Sequence, residues 1–166
     1  MKTHALLIPL FLTLSLPCFA RVGETIDQSI QRYGPQYKAG DLAPDCKMLV
    51  FETGKYEVSA GFYQGKCVVL LISKLPKPSI MSEEEVDAVL AQNSDGNTWG
   101  KPVAISEDDG GVANTCKRSD GVEAFWKEYG HNITFFGEGS KTYQAAVDLA
   151  ERQKKAAAAK QGASGL

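Results

Sequence analysis

The strongest constraint on the fold is a series of three short apolar runs that follow one another with only turn residues between them. The runs cover residues 47–52, 56–63 and 66–73, and the pairs Thr53-Gly54 and Gln64-Gly65 separate them. Runs of this length, rich in β-branched and aromatic residues and joined by glycine-containing pairs, are typical of antiparallel hairpins. The sequence therefore predicts a β-meander.

If each separating pair is a two-residue turn, the register of the meander follows. Phe51 then lies opposite Tyr56, and Val58 lies opposite Leu71. The face on which a helix is expected to pack carries Leu49, Phe51, Tyr56, Val58, Ala60, Phe62, Cys67, Val69 and Leu71.

Capping signals mark two short helices. Thr25 and Gln28 have the spacing of a capping box, and Gly34-Pro35 ends the first helix, because proline cannot continue it. Ser82 and Glu85 form a second capping box at the start of the second helix. A third helix is expected from about Lys141, after a Ser140 cap, through Tyr143, Val147 and Ala150.

The second half of the chain repeats the order of helix followed by strands, over residues 113–118, 122–129 and 133–137. Asp120-Gly121 is a strong hairpin signal. With that turn, Arg118 is expected opposite Glu123, and Cys116 opposite Phe125.

These elements indicate an α+β fold in which short helices pack on an antiparallel β-meander sheet. We expect a single domain over residues 21–160, composed of halves 21–75 and 80–160, and a disordered tail at 161–166. An ancient duplication of the halves and one continuous sheet are both open at this point.

The N-terminal residues have the pattern of an export signal. A positive start at Lys2 precedes an apolar run over residues 5–16, which is too short to span a bilayer at roughly 20 residues. We expect a signal peptide over residues 1–20, with cleavage after Ala20, and a secreted or periplasmic protein with no stable membrane anchor. The formal net charge of −2 offers no basic field for nucleic acid.

Three cysteines remain after cleavage, namely Cys46, Cys67 and Cys116. The predicted register places Cys46 and Cys67 on opposite faces, so we expect no disulfide bond between them. A thiol, or a metal held by the acidic loop at 107–109, defines the alternative function of a small secreted enzyme. His131 is expected to be an ordinary turn residue, and we expect no catalytic residue, cofactor or metal.

Aromatic residues are the remaining candidates for a binding site. Tyr63, Trp99 and Tyr129 lie near turns or in loops, where an amphipathic ring is favoured on a recognition surface. Core positions are expected for Tyr56, Phe62, Trp126 and Phe135.

The first half resembles a known class of exported modules. The segments that carry the resemblance are Gly23-Glu-Thr25, Tyr33-Gly34-Pro35, Leu49-Val-Phe51, Tyr56-Glu-Val58 and Phe62-Tyr-Gln-Gly65-Lys66. Together they are similar to the small SmpA/OmlA-type modules and to the β-lactamase-inhibitor-like fold. The resemblance covers about a third of the chain and implies a protein-binding module of the bacterial envelope or extracellular space, without catalytic residues. The expected partner is accordingly a protein, and the oligomeric state is left open.

Overall fold

The computed structural model describes residues 21–107 and 110–163, with side chains up to residue 159. The predicted signal peptide, its cleavage site and residues 164–166 lie outside the described residues. In chain order the helices and strands are α1 (Ile26–Tyr33), β1 (Tyr37–Ala43), β2 (Cys46–Thr53), β3 (Tyr56–Tyr63), β4 (Lys66–Lys74), α2 (Glu83–Gln92), β5 (Val103–Ser106), β6 (Val112–Lys117), β7 (Glu123–Lys127), β8 (Asn132–Phe136) and α3 (Ser140–Ala163).

The first two helices begin where their capping residues predict. In α1 the hydroxyl of Thr25 accepts a hydrogen bond from the Gln28 amide, and the Gln28 side chain accepts one from the Thr25 amide. Ser82 and Glu85 make the same reciprocal pair at α2. These bonds satisfy main-chain donors that have no partner within the helix, which is why each helix starts there.

The described strands form one continuous antiparallel sheet in the order β1-β2-β3-β4-β8-β7-β6-β5. Each half of the chain contributes one helix and then a four-stranded meander, and the two meanders meet where β4 pairs with β8. The predicted α+β meander fold is confirmed. The two edge strands, β1 and β5, were not predicted.

The register between β2 and β3 differs from the predicted one by two residues. Phe51 pairs with Val58, because the two-residue turn consists of Gly54 and Lys55. A shift of two residues keeps every side chain on its face, since strand side chains alternate with a period of two. Leu49, Phe51 and Val58 are therefore buried as expected.

The expected faces of β4 are wrong beyond its first residues. A register shift between Gly61 and Phe62 inserts one extra residue into the β3–β4 pairing, so Val58 pairs with Ile72 rather than Leu71. A one-residue bulge reverses the faces of everything that follows it. Leu70 and Ile72 are fully buried, whereas Val69 and Leu71 lie on the opposite, partly exposed face.

The β6–β7 hairpin differs from the predicted register by one residue. Cys116 pairs with Ala124, and Lys117, not Arg118, pairs with Glu123. The reason is a three-residue loop, residues 119–121, closed by the hydrogen bond from the Arg118 amide to the Val122 carbonyl.

The main core lies between the sheet and the first two helices. α1 and α2 pack on one face, which we call the helix-covered face, and Trp99 joins them there. The buried residues of this core include Leu49, Phe51, Val58, Ala60, Phe62, Leu70, Ile72, Val86, Val89, Leu90, Ala124, Ile133 and Phe135.

The third helix packs on the opposite face of the sheet. α3 contacts strands β1–β4, and its Tyr143 and Val147 form a second cluster with Cys46 and Val68. Gly61 lets this helix lie close to the sheet, because a Cβ atom there would lie 2.8 Å from the Tyr143 ring. From Glu151 to Ala159 the residues of α3 are exposed.

Candidate binding face

A solvent-facing surface on the α3 side of the sheet is the main candidate site. Among the residues that strand pairing places on this side, eight aliphatic, aromatic or threonine residues of β4–β8 have exposed surface, and we call these eight the open face. They are Val69, Leu71, Val103, Ile105, Thr115, Phe125, Thr134 and Phe136. Each is partly or fully exposed, in contrast to the residues that alternate with them in the centre of the sheet.

Apart from Val69, which packs against the cluster under α3, the open face is uncovered because α3 packs over the first meander. The exposed fractions are 60% for Val103, 43% for Ile105 and 37% for Phe136. Exposed apolar side chains gathered on one face of a sheet are associated with interaction surfaces.

Charged side chains border the open face. Lys117 and Glu123 form an ion pair of 3.2 Å on the β6–β7 ladder, and Lys127 pairs with Glu107 close to β5. Both pairs lie on the same side of the sheet as Phe125, by strand alternation. An apolar centre with a polar, mixed-charge border is the usual arrangement of a protein interface.

The side chains of the open face are suited to packing against another surface. They are aliphatic, aromatic or threonine side chains. Thr115 donates its hydroxyl hydrogen to the Ala124 carbonyl at 3.0 Å, so this hydroxyl is committed to the fold.

The structure does not bring the three predicted aromatic site residues together. Trp99 packs on the core: its indole N–H donates to the Leu90 carbonyl at 2.7 Å, and its ring lies 5.7 Å from that of Phe135. Tyr63 packs beside the Cys46 cluster, and Tyr129 is 75% exposed in the turn after β7. Trp99 is thus a packing residue, whereas Tyr129 remains accessible.

Tyr63 lies close to the open face although it is not part of it. It lines a shallow cleft of about 1010 Å³, which Phe136 and the first residues of α3 also line. Lys66, Glu123, Glu138 and Lys141 contribute charges of both signs to the cleft. The cleft extends the open face toward α3.

Tyr129 belongs to a different groove, on the helix-covered side. This groove, of about 550 Å³, lies between the start of α2 and strands β5–β7, and Ile80, Val86, Trp126 and Ala104 line it. Of the four aromatic residues expected in the core, Tyr56, Phe62 and Phe135 are buried there, whereas Trp126 is only partly buried.

The open-face residues Phe125 and Phe136 were not among the sequence candidates. The sequence shows aromatic residues on both faces of β7. This pattern does not distinguish a strand with both faces covered from a strand with one open face. Only the position of α3 decides between the two.

None of the three thiols has the environment of a nucleophile. All are buried and free, with Cys46 and Cys67 on opposite faces as expected. Burial raises the pKa of Cys67 to about 12 and that of Cys116 to about 11, and it also raises the pKa of Cys46. A reactive thiol requires the opposite shift.

The predicted acidic loop is described only in part. Glu107 pairs with Lys127, and residues 108–109 lie outside the described residues. Among the described residues no group of three or more His, Cys, Asp or Glu side chains is placed to share a metal ion. His131 is exposed in the turn between β7 and β8.

Comparison with known proteins does not assign the chain to a family. No protein-family model and no curated protein matches it. Among solved structures, it is similar to a cysteine-rich secretory protein of Staphylococcus aureus, with a TM-score of 0.44 and 12% identity over 70% of this chain. The match spans 43% of that longer protein. No described helix is both long enough and apolar enough to cross a membrane.

Proposed function

We propose that the protein is an exported, non-catalytic binding module that recognises a protein partner through the open face. The observation that carries this proposal is the half-exposed apolar surface formed by strands β4–β8 on the side where α3 covers only the first meander. The partner belongs to the bacterial envelope or extracellular space, because the N-terminal residues have the pattern of an export signal.

The shape of the open face supports a macromolecular partner. A sheet surface with residues such as Phe125 and Phe136 standing on it is broad, whereas small-molecule sites are usually concave and enclosed. Aromatic and aliphatic residues at the centre supply buried area, and the Lys117–Glu123 and Lys127–Glu107 pairs supply an orienting border.

A photocrosslinking experiment tests the proposal. A photoreactive phenylalanine analogue is placed at Phe125 or at Phe136, and for comparison at Gln31, which is exposed on α1 at the other side of the molecule. We expect a discrete adduct with an envelope or extracellular protein from the two open-face positions and none from Gln31.

A charge substitution supplies the second arm. Phe136→Glu is expected to abolish the adduct formed from position 125, because it buries an unpaired charge in the interface, whereas Gln31→Glu leaves the adduct unchanged. Both variants are first shown to melt like the wild type. Equal adducts from all positions, or none from the open face, would contradict the proposal.

A further inference from the structure

The two edges of the sheet are built differently. The β1 edge carries the charged residues Lys38 and Asp41 and has a register shift between Asp41 and Ala43. It is also contacted by α3. Charges, bulges and covering elements are the devices by which proteins prevent an edge strand from pairing with another chain.

The β5 edge lacks these devices along its length. Its four residues, Val103–Ser106, carry no charge, pair with β6 in unbroken register and are all exposed. The proline at position 102 lies just outside the strand, so it leaves the amides of the strand itself intact. A regular, uncharged and exposed edge is open to pairing.

The direction of the free main-chain groups follows from the ladder. The Glu107 amide donates to the Gly111 carbonyl, and hydrogen-bonded pairs alternate along an antiparallel ladder. Val103 and Ile105 therefore bond to β6, while the N–H and C=O groups of Ala104 and Ser106 point away from it. These outward groups can accept a further strand.

We propose that two copies of the chain pair through their β5 strands, antiparallel and centred on Ala104. In this register the Ala104 residues of the two copies exchange N–H···O=C bonds, and the Ser106 amide of each copy donates to the Pro102 carbonyl of the other. Pro102 offers no amide in return, which limits the pairing to this short segment.

The occupant of the edge is a second copy because the segment from Lys101 to Glu107 is complementary to itself. Reversing it about Ala104 sets Val103 against Ile105 of the second copy, so apolar side chains meet on the open face. The same reversal sets Lys101 against Glu107 of the second copy, at both ends of the pairing, where Glu107 also contacts Lys127 of its own chain. Opposite charges across a strand pair stabilise it, and this match requires no other protein.

Pairing in this register joins the open faces of two copies side by side on one surface. The dyad runs perpendicular to the sheet, so both faces point the same way. This assembly is independent of the identity of any partner, and its failure would leave the binding proposal untouched.

The first test is the oligomeric state of the full mature chain by analytical ultracentrifugation over a concentration series. We expect a reversible monomer–dimer equilibrium. Ala104→Pro removes an amide that points away from β6, so it is expected to abolish the dimer and leave the thermal melt of the monomer nearly unchanged. A wild-type protein that stays monomeric, or a dimer that tolerates Ala104→Pro, would overturn the proposal.

Charge reversal tests the register. Lys101→Glu and Glu107→Lys each create like charges at both ends of the homodimer, and each is expected to weaken it about tenfold. Mixing the two single variants restores opposite charges at both ends, so the mixture is expected to dimerise about as tightly as the wild type. A mixture that dimerises no better than the separate variants would exclude this register.

Discussion

Arg118 is a buried charged residue whose side chain contacts Asp120, Asn93 and Trp99. Its guanidinium donates to both carboxylate oxygens of Asp120, at 2.7 and 2.6 Å, and to the carbonyl of Asn93, and it lies 5.6 Å from the Trp99 ring. The side chain is 3% exposed. A buried guanidinium needs these partners, because an unpaired buried charge is costly.

This geometry predicts unequal effects for two neighbouring acids. Asp120→Asn removes the charge partner of buried Arg118 and is expected to lower the free energy of unfolding by about 2 kcal/mol. The matched control is Glu123→Gln, which breaks the exposed pair with Lys117 and is expected to cost less than about 0.5 kcal/mol. Urea denaturation measures both, and equal losses would contradict the observed hairpin register.

The thiols give a second prediction at this scale. Because burial raises the pKa of Cys67 and Cys116, we expect the native protein to react with a thiol reagent far more slowly than the unfolded chain at neutral pH. An exposed control, Gln31→Cys, is expected to react at once. Rapid native labelling of any original cysteine would instead favour the enzyme alternative.

At the scale of helices and strands, features that depend on neighbouring residues were predicted correctly. Features that depend on contacts with distant parts of the chain were not. The capping boxes at Thr25 and Ser82 act within one turn of helix, so the sequence contains all the information that places them. The bulge beside Gly61 lies where Tyr143 of α3 packs on β3. Tyr143 follows Gly61 by about 80 residues along the chain. No pattern within the meander itself indicates the bulge.

The missed strands have a similar explanation. β1 contains Lys38, Gly40 and Asp41 and shows no apolar alternation, because an edge strand buries little. β5 has only four residues, all exposed. The open face could not be located from the sequence either, since its position depends on where α3 packs.

Besides its apolar packing, α2 is joined to the sheet by the carboxylate of Glu85. Glu85 accepts hydrogen bonds from Lys55 at 2.8 Å and from Lys74 at 2.7 Å, besides capping its own helix. These side-chain bonds lower the pKa of Glu85 from 4.5 to about 2. A carboxylate whose pKa is lower in the folded state stabilises the fold above its unfolded pKa.

Glu85→Gln is therefore expected to make stability less dependent on pH. Glutamine retains the capping bond but not the charge, so the variant should be about 1 kcal/mol less stable at neutral pH, after allowance for solvent screening. This difference should shrink as the pH falls below about 4.5 toward 2. Thermal melts across this range test it against the control Glu83→Gln, which changes an exposed acid in the same helical turn. A difference that stays constant at all pH values would contradict a stabilising role for the charge of Glu85.

At the scale of the whole molecule, the continuous sheet joins the two halves through a shared core. The β4–β8 pairing sets Leu70 opposite Phe135 and Ile72 opposite Ile133, and all four side chains are buried in the same core. A boundary between independent domains would instead have few contacts across it. The repeated order of helix and meander is thus compatible with a duplication, but the halves share their centre.

Because the two halves share a core, we expect a destabilising substitution in one half to lower the stability of both halves equally. Both tryptophans, Trp99 and Trp126, lie in the second half, so their fluorescence reports on that half, while circular dichroism reports on both. Leu70→Ala in β4 is expected to cost about 2 to 5 kcal/mol and to lower the urea midpoints of fluorescence and circular dichroism by the same amount. If the tryptophan transition kept its wild-type midpoint while circular dichroism showed an earlier step, the halves would unfold separately. The seam between β4 and β8 would then be an interface between two units and not the middle of one core.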